Sequence, residues 1–197
     1  MFNKKSALLL VDLQNDFIHS HGAYGRAGQF SQEISILPQT IAPVAKVMRK
    51  LGIPVISTQF TLIPDEHGNP MIAEHLRKLR PFLTNGDFES GSWGNQIVDE
   101  LGLPDYIIEK IAYSAFYMTR LEWVLKKINV QHLIVGGIVT NGGVASTVRN
   151  AHVLDFDTTI LSDGCAAFSN ETHANALTDL STVSDVKTCL EVIEKLS

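Results

Sequence analysis

Six short apolar runs, separated by stretches of helical periodicity, restrict this chain more than any other feature. The runs are Ser6 to Val11, Pro54 to Thr58, Tyr106 to Glu109, His132 to Val139, Thr158 to Leu161 and a weaker Thr182 to Lys187. They are continuous rather than alternating, as in strands covered on both faces within a parallel sheet. Between the second strand and the first, Ile34 to Leu51 places Ile36, Ile41, Val44, Val47, Met48 and Leu51 at helical spacing, with Gly52 and Pro54 as stop signals. Thr119 to Ile128, Asn141 to Leu154, Glu171 to Leu180 and Leu190 to Leu196 read the same way. Strand and helix therefore alternate, which predicts a doubly wound α/β sheet with right-handed crossovers. A length of 197 residues suits one domain spanning positions 1–197.

One stretch breaks the alternation. Thr61 to Gly94 holds Pro64, Pro70 and Pro81 with Gly68, Gly86, Gly91 and Gly94, and reads as a long excursion with one short helix near Met71 to Leu79. Loops of this length inside a compact domain are usually functional.

Charge narrows the partners. The chain carries 16 Lys+Arg against 21 Asp+Glu, a net of -5, with no basic cluster longer than Lys4-Lys5 or Lys126-Lys127. Neutralising nucleic-acid phosphates needs a concentrated positive patch, so a small molecule is the expected partner and nucleic acid is not. The apolar run after Lys4-Lys5 stops at Asp12, short of a signal-peptide core, and nothing approaches the roughly 20 apolar residues of a membrane span. Cys165 and Cys189 lie in no CxxC or metal-like spacing, which points to reduced thiols in a cytoplasmic protein. His67 and His75 sit eight apart, no recognised ligand spacing, and the expectation is no metal and no cofactor.

In an open α/β sheet ligands bind outside the carboxyl ends of the strands, which selects Asp12, Gln59, Lys110 and the turn Thr140-Asn141-Gly142-Gly143. Asp12 follows Leu8-Leu9-Leu10-Val11 directly; it caps a turn or carries chemistry. Lys110 closes the apolar Tyr106-Ile107-Ile108 strand, where it either snorkels or pairs with an acid. At equivalent ends of adjacent strands the two would form a couple poised for proton transfer. The glycine-rich turn after the fourth strand offers backbone N–H groups to an anion, but has neither the phosphate-loop Lys-Ser/Thr nor dinucleotide glycine spacing.

Several motifs together resemble the isochorismatase-like hydrolase superfamily. They are Ala7 to Phe17, Lys110 with Tyr113-Ser-Ala-Phe116, Gly137 to Val144 with Ser146 to Ala151, and Leu161-Ser-Asp-Gly-Cys-Ala166 followed by His173 to Leu177. The similarity spans essentially the whole chain. It implies a six-stranded, mostly parallel sheet in a three-layer α-β-α, Rossmann-like arrangement, a homodimer or homotetramer, and an Asp-Lys-Cys triad in the family's cysteine amidohydrolases. Asp12 and Lys110 match the first two members. The cysteine would fall at position 143, where this chain has Gly143, so the covalent thioester route is closed to it.

Isochorismatases in the family also carry glycine there. By that resemblance Asp12 is a general acid on an isochorismate-like vinyl ether, Lys110 orients it, and Gly143 leaves room for substrate. Gln59, Phe17, Tyr113, Phe116, Val139, Thr140, Asn141 and Gly142 are the expected substrate contacts, although isochorismatases usually place tyrosine and histidine at positions 139 and 141. Asp16 shapes the pocket or caps the following turn, and Arg149 ties its helix to nearby carboxylates. Trp93 and Phe88 form a lid or belong to the core, and Cys165 reads as structural. Arg77, Lys78 and Arg80 offer cations to an anionic substrate, or form a solvated face. Two further readings stay open: a catalytically silent small-molecule binder, and a cysteine amidohydrolase whose nucleophile has been replaced at Gly143.

Overall fold

Strands β1 (Ser6–Val11), β2 (Val55–Phe60), β3 (Tyr106–Lys110), β4 (His132–Ile138), β5 (Asp157–Ala166) and β6 (Asp185–Lys187) pair in the order β3-β2-β1-β4-β5-β6. Every pairing is parallel. This computed structural model describes residues 5–29 and 31–196, so Lys4 of the basic pair lies outside the described residues. The helices are α1 (Asn15–Ile18), α2 (Ala23–Arg26), α3 (Gln32–Ser35), α4 (Leu37–Lys50), α5 (Glu74–Leu79), α6 (Leu121–Lys127), α7 (Ala145–Val153), α8 (Asn170–Leu180) and α9 (Cys189–Leu196).

β1 runs through the middle with all six residues buried. Leu8 and Leu10 face a layer made by Ile41, Val44 and Met48 of α4 and Val192 of α9. Ala7, Leu9 and Val11 face Leu121 and Leu125 of α6, Val148 of α7 and Leu180 of α8. Each such Leu or Ile contributes about 1.5–3 kcal/mol on leaving water, so the two helical layers hold the sheet from both sides. The expected three-layer α-β-α architecture is what the chain adopts.

Element boundaries depart from the sequence pattern in ways that have local causes. The single helix expected over Ile34 to Leu51 divides at Ile36, because Pro38 has no N–H to bond the Ile34 carbonyl while Ser31 caps α3 through the Ile34 amide. β5 is longer than Thr158 to Leu161: a register shift opposite Val135 and Gly137 carries it through to Ala166. The last strand keeps only Asp185–Lys187 of the expected Thr182 to Lys187, and the short helix covers 74–79 rather than 71–79.

The third strand is the main correction. Tyr106 and Ile107 are exposed, because β3 lies at the sheet edge instead of inside it. Arg120 Nη2 donates to the Ile107 carbonyl (3.0 Å), satisfying part of that edge. At the centre, Gly137 (φ +127°) pairs with Val11, and a Cβ there would stand 2.1 Å from the Val11 carbonyl oxygen, so only glycine lets β4 approach β1.

The excursion after β2 does not wander. Leu62, Leu83 and Phe88 from it close with Phe60, Ala23 and Tyr24 into a small second core beside the carboxyl ends of β1 and β2. Among the described residues, no helix is long and apolar enough to cross a membrane.

Candidate active site

Asp12 is the first residue beyond β1, and its φ of +56° turns the chain sharply out of the strand. Aspartate tolerates this left-handed region better than most residues. Thr58 on β2 fixes the turn: its Oγ1 accepts from the Asp12 amide (3.1 Å) and donates to Asp12 Oδ1 (2.6 Å). The other carboxylate oxygen, Oδ2, stands 2.6 Å from Lys110 Nζ. Both side chains are almost wholly enclosed, and the pocket's apolar walls strengthen their attraction.

The couple does not join adjacent strands as expected. β2 lies between β1 and β3, so Lys110 reaches across it, passing 5.4 Å from the centre of the Phe60 ring. Phe60 is its register partner on β2 and supplies a favourable aromatic face for the ammonium. A second N–H of Lys110 goes to the Ala112 carbonyl (2.9 Å), so two of its three donors are engaged by the protein.

Gly143 forms the facing wall. It sits in a wide turn, Thr140–Val144, that leads into α7. A Cβ built there would point at Asp12 Oδ2 (3.3 Å) and press on the Ile138 carbonyl oxygen (2.9 Å). The space beside the carboxylate is therefore the space a side chain at 143 would take.

Phe17, Tyr24, Phe60, Tyr113 and Phe168 wall the pocket, with Val139 and Ile138 beside Gly143 and Arg80 at the rim. It encloses about 350 Å³ counting its open mouth. A larger surface groove, about 1700 Å³ counted the same way, opens at the other end of the sheet near His152, Asp157 and Ser184. It is the wrong end for an open parallel sheet, where loops after the strands build the site, and neither Asp12 nor Lys110 reaches it.

The structure thus gathers Asp12, Lys110, Gly143, Phe17, Tyr113 and Val139, and leaves the other expected contacts outside the pocket. Gln59 lies within β2, where alternation sends it to the face opposite Phe60. Phe116 stacks on Phe156 (5.8 Å) in the core. Thr140 is buried, its hydroxyl bound to His173 Nδ1 (2.8 Å). Asn141 is exposed and lines a groove with Arg149 and Asp179 instead, and Arg149 makes no ion pair among the described residues. Gly142 is buried, and its amide and that of Val144 both bond the Val139 carbonyl, so the turn is not an open anion nest.

Asp16 caps rather than lines, accepting from the Ala23 and Phe88 amides. Phe88 is core, and Trp93 packs on His19 away from the site. Cys165 pairs with Gly137 inside the sheet, and burial pushes its thiol up to about 12, which leaves no thiolate for catalysis. Among the described residues no three His, Cys, Asp or Glu side chains converge to hold an ion.

Sequence reasoning missed Thr58, Tyr24, Phe60 and Phe168. Thr58 had a signal: a hydroxyl two residues before the end of β2, one step beyond the Leu10–Ser57 pair and so beside the point where β1 gives way to Asp12. Tyr24 and Phe168 had none, because the short helix α2 and the loop after β5, both remote from Asp12 in the strand pattern, carry them to the pocket.

An acid–ammonium couple at the carboxyl end of a β3-β2-β1-β4-β5-β6 sheet, opposite a turn leading into a helix, defines a class that the family model confirms. The isochorismatase domain matches residues 6–193, and the chain belongs to this family of hydrolases. Ureidoacrylate amidohydrolase RutB of Cronobacter turicensis is 31% identical over 171 residues, 81% of this chain and 74% of that protein. A probable inactive nicotinamidase of Arabidopsis thaliana is also 31% identical, over 191 residues that cover 94% of this chain and 92% of its own. The crystal structure of a cysteine hydrolase from Pseudomonas syringae pv. phaseolicola superposes with a TM-score of 0.84 at 23% identity, covering 99% and 94% of the two chains.

Proposed function

We propose that this chain hydrolyses a small acid without a protein nucleophile, the substrate class being an isochorismate-like vinyl ether. The observation that carries the reading is the bare Gly143 backbone facing Asp12 Oδ2, which leaves the reacting space to substrate and water. Both Asp12 oxygens accept hydrogen bonds, so Asp12 must first take a proton from the Lys110 ammonium at Oδ2. It then delivers that proton to the terminal vinyl carbon. Water adds to the resulting oxocarbenium carbon and one of its protons returns to the Asp12–Lys110 couple, which ends as it began. The hemiketal then breaks its bond to the ring oxygen as its hydroxyl proton, the second from water, passes to that oxygen, and a keto acid and an alcohol leave. The third Lys110 N–H and the ring of Phe60 steady the charges while they move.

A second reading has its own support. The Cβ direction at 143 aims at Asp12, and a relative described as a probable inactive nicotinamidase matches nearly the full chain, so the site is one thiol away from a cysteine amidohydrolase. Turnover of isochorismate by the purified protein, abolished in Asp12→Ala and kept in Lys-to-Glu changes at Lys126, supports the first reading. No turnover, with amide hydrolysis of ureidoacrylate or nicotinamide appearing in Gly143→Cys, supports the second.

A further inference from the structure

We infer that Thr147 is a positioning residue for Lys110: its buried hydroxyl pins the loop after β3 at Ala115, and that loop returns the Ala112 carbonyl to the Lys110 ammonium. The inference deepens the proposed reaction and rests on it for the role of Lys110, the group that supplies Asp12 with its proton.

Thr147 has no exposed surface, and its neighbours Val144, Ala145, Val148 and Ala151 all belong to the apolar layer on that face of the sheet. Valine has nearly the same shape and carries no polar atom, so a hydroxyl at this place is costly unless something uses it. The Ala115 amide does, donating to Thr147 Oγ1 at 3.0 Å. Ala115 is itself wholly buried, although residues 111–120 form neither helix nor strand. A buried amide with no ladder to join must find another acceptor. The Ala115 carbonyl accepts from Thr119 Oγ1, so two hydroxyls clamp one residue from both sides.

What the loop gives the pocket depends on that clamp. Lysine carries its charge on a flexible four-carbon stem, so its acceptors decide where the ammonium rests. Lys110 has two: Asp12 Oδ2, and the Ala112 carbonyl at 2.9 Å, which faces it because the chain curls back between β3 and Ala115. The same stretch presents Tyr113 to the pocket. α7 begins where the turn carrying Gly143 ends, and Thr147 stands on its first turn. One helix therefore supports both the bare wall opposite Asp12 and the loop that aims Lys110, which sets the ammonium relative to the carboxylate. Charge-assisted hydrogen bonds are short and geometrically demanding, so a loosened loop weakens the Ala112 contact before it unfolds anything.

The test reads hydrogen exchange of the Lys110 ammonium in the full chain by proton–nitrogen NMR of lysine side chains, the signal being assigned by its loss in Asp12→Asn/Lys110→Met. Thr147→Val should speed that exchange about tenfold or more, as expected when a charge-assisted contact is lost, and Thr147→Ser should keep it within about twofold. Thr159→Val is the control. Its hydroxyl is equally buried but meets His132 at the other end of the sheet, so this change should lower thermal stability and leave the Lys110 signal as it is. Where isochorismate is turned over, Thr147→Val should lower kcat with KM within about twofold, and Thr147→Ser should restore it. Exchange unchanged in Thr147→Val, exchange quickened equally by Thr159→Val, or a parent signal too fast to detect overturns the inference. If Thr147→Val does not fold, Thr119→Val takes its place, since it frees Ala115 from the other side: faster exchange supports the clamp, and unchanged exchange overturns it. The exchange is read without turnover. A protein inert toward isochorismate whose exchange still responds to Thr147→Val sinks only the proposed function, whereas an active one whose exchange and kcat ignore that change sinks only this inference.

Discussion

The Asp12–Lys110 couple sets a thermodynamic trap for any single substitution. Lys110 is 2% exposed and Asp12 5%, so removing either leaves a charge stranded among apolar walls. Lys110→Met should cost about 3–5 kcal/mol by urea denaturation, and Asp12→Asn a comparable amount. The double variant Asp12→Asn/Lys110→Met should recover most of that loss, because it strands nothing, while remaining inactive. If the double variant were as unstable as the sum of the two, the couple would not be a closed unit. Thr58→Val isolates a different contribution: it orphans the Asp12 amide at the strained φ of +56°, and should cost about 1–3 kcal/mol with the salt bridge intact.

At the level of elements, the turn that carries Gly143 is held from behind by α8. Ser169 caps that helix by accepting from the Thr172 amide (3.1 Å), and His173, in its first turn, binds the buried Thr140 hydroxyl. Ser169→Ala should therefore lower stability by about 1 kcal/mol in thermal melts, with turnover reduced by loosening of the turn that carries Gly143. Melting unchanged to within experimental scatter would show that tertiary contacts, and not the cap, fix the start of α8.

The same elements show what was legible in sequence. The charged strand ends that meet in the ion pair, Asp12 and Lys110, stood out because a charged residue abutting an apolar run has few innocent explanations. Edge position did not, since Tyr106-Ile107-Ile108 is as apolar as a central strand and only the strand order exposes its outer half. Substrate contacts were the least legible. Gln59 and Phe60 are neighbours, and a one-residue difference in where β2 ends decides which of them faces the pocket.

For the molecule as a whole, pH acts on the opposite end of the sheet. His132 at the start of β4 is largely buried, with Nε2 at 3.0 Å from Thr159 Oγ1, and desolvation lowers its pKa against the opposing pull of Asp157 and Asp185. Folded His132 therefore resists a proton that the unfolded chain accepts near pH 6.5. Its contribution to stability is full above that pH and is lost as pH falls below it, with a slope of at most about 1.4 kcal/mol per pH unit for one proton. His132→Asn should flatten that part of the stability profile in urea titrations between neutral pH and about pH 5. An identical slope in variant and parent would assign the effect to other groups.

Lys110 belongs to β3, and β3 is joined to the sheet through β2 alone. Outermost strands are commonly the first to fray. When β3 peels away, the ammonium goes with it, and the carboxylate it leaves behind is the proton donor of the proposed reaction. Inactivation on heating should accordingly run ahead of global melting, tracking amide exchange in Tyr106–Lys110 rather than loss of the central strands.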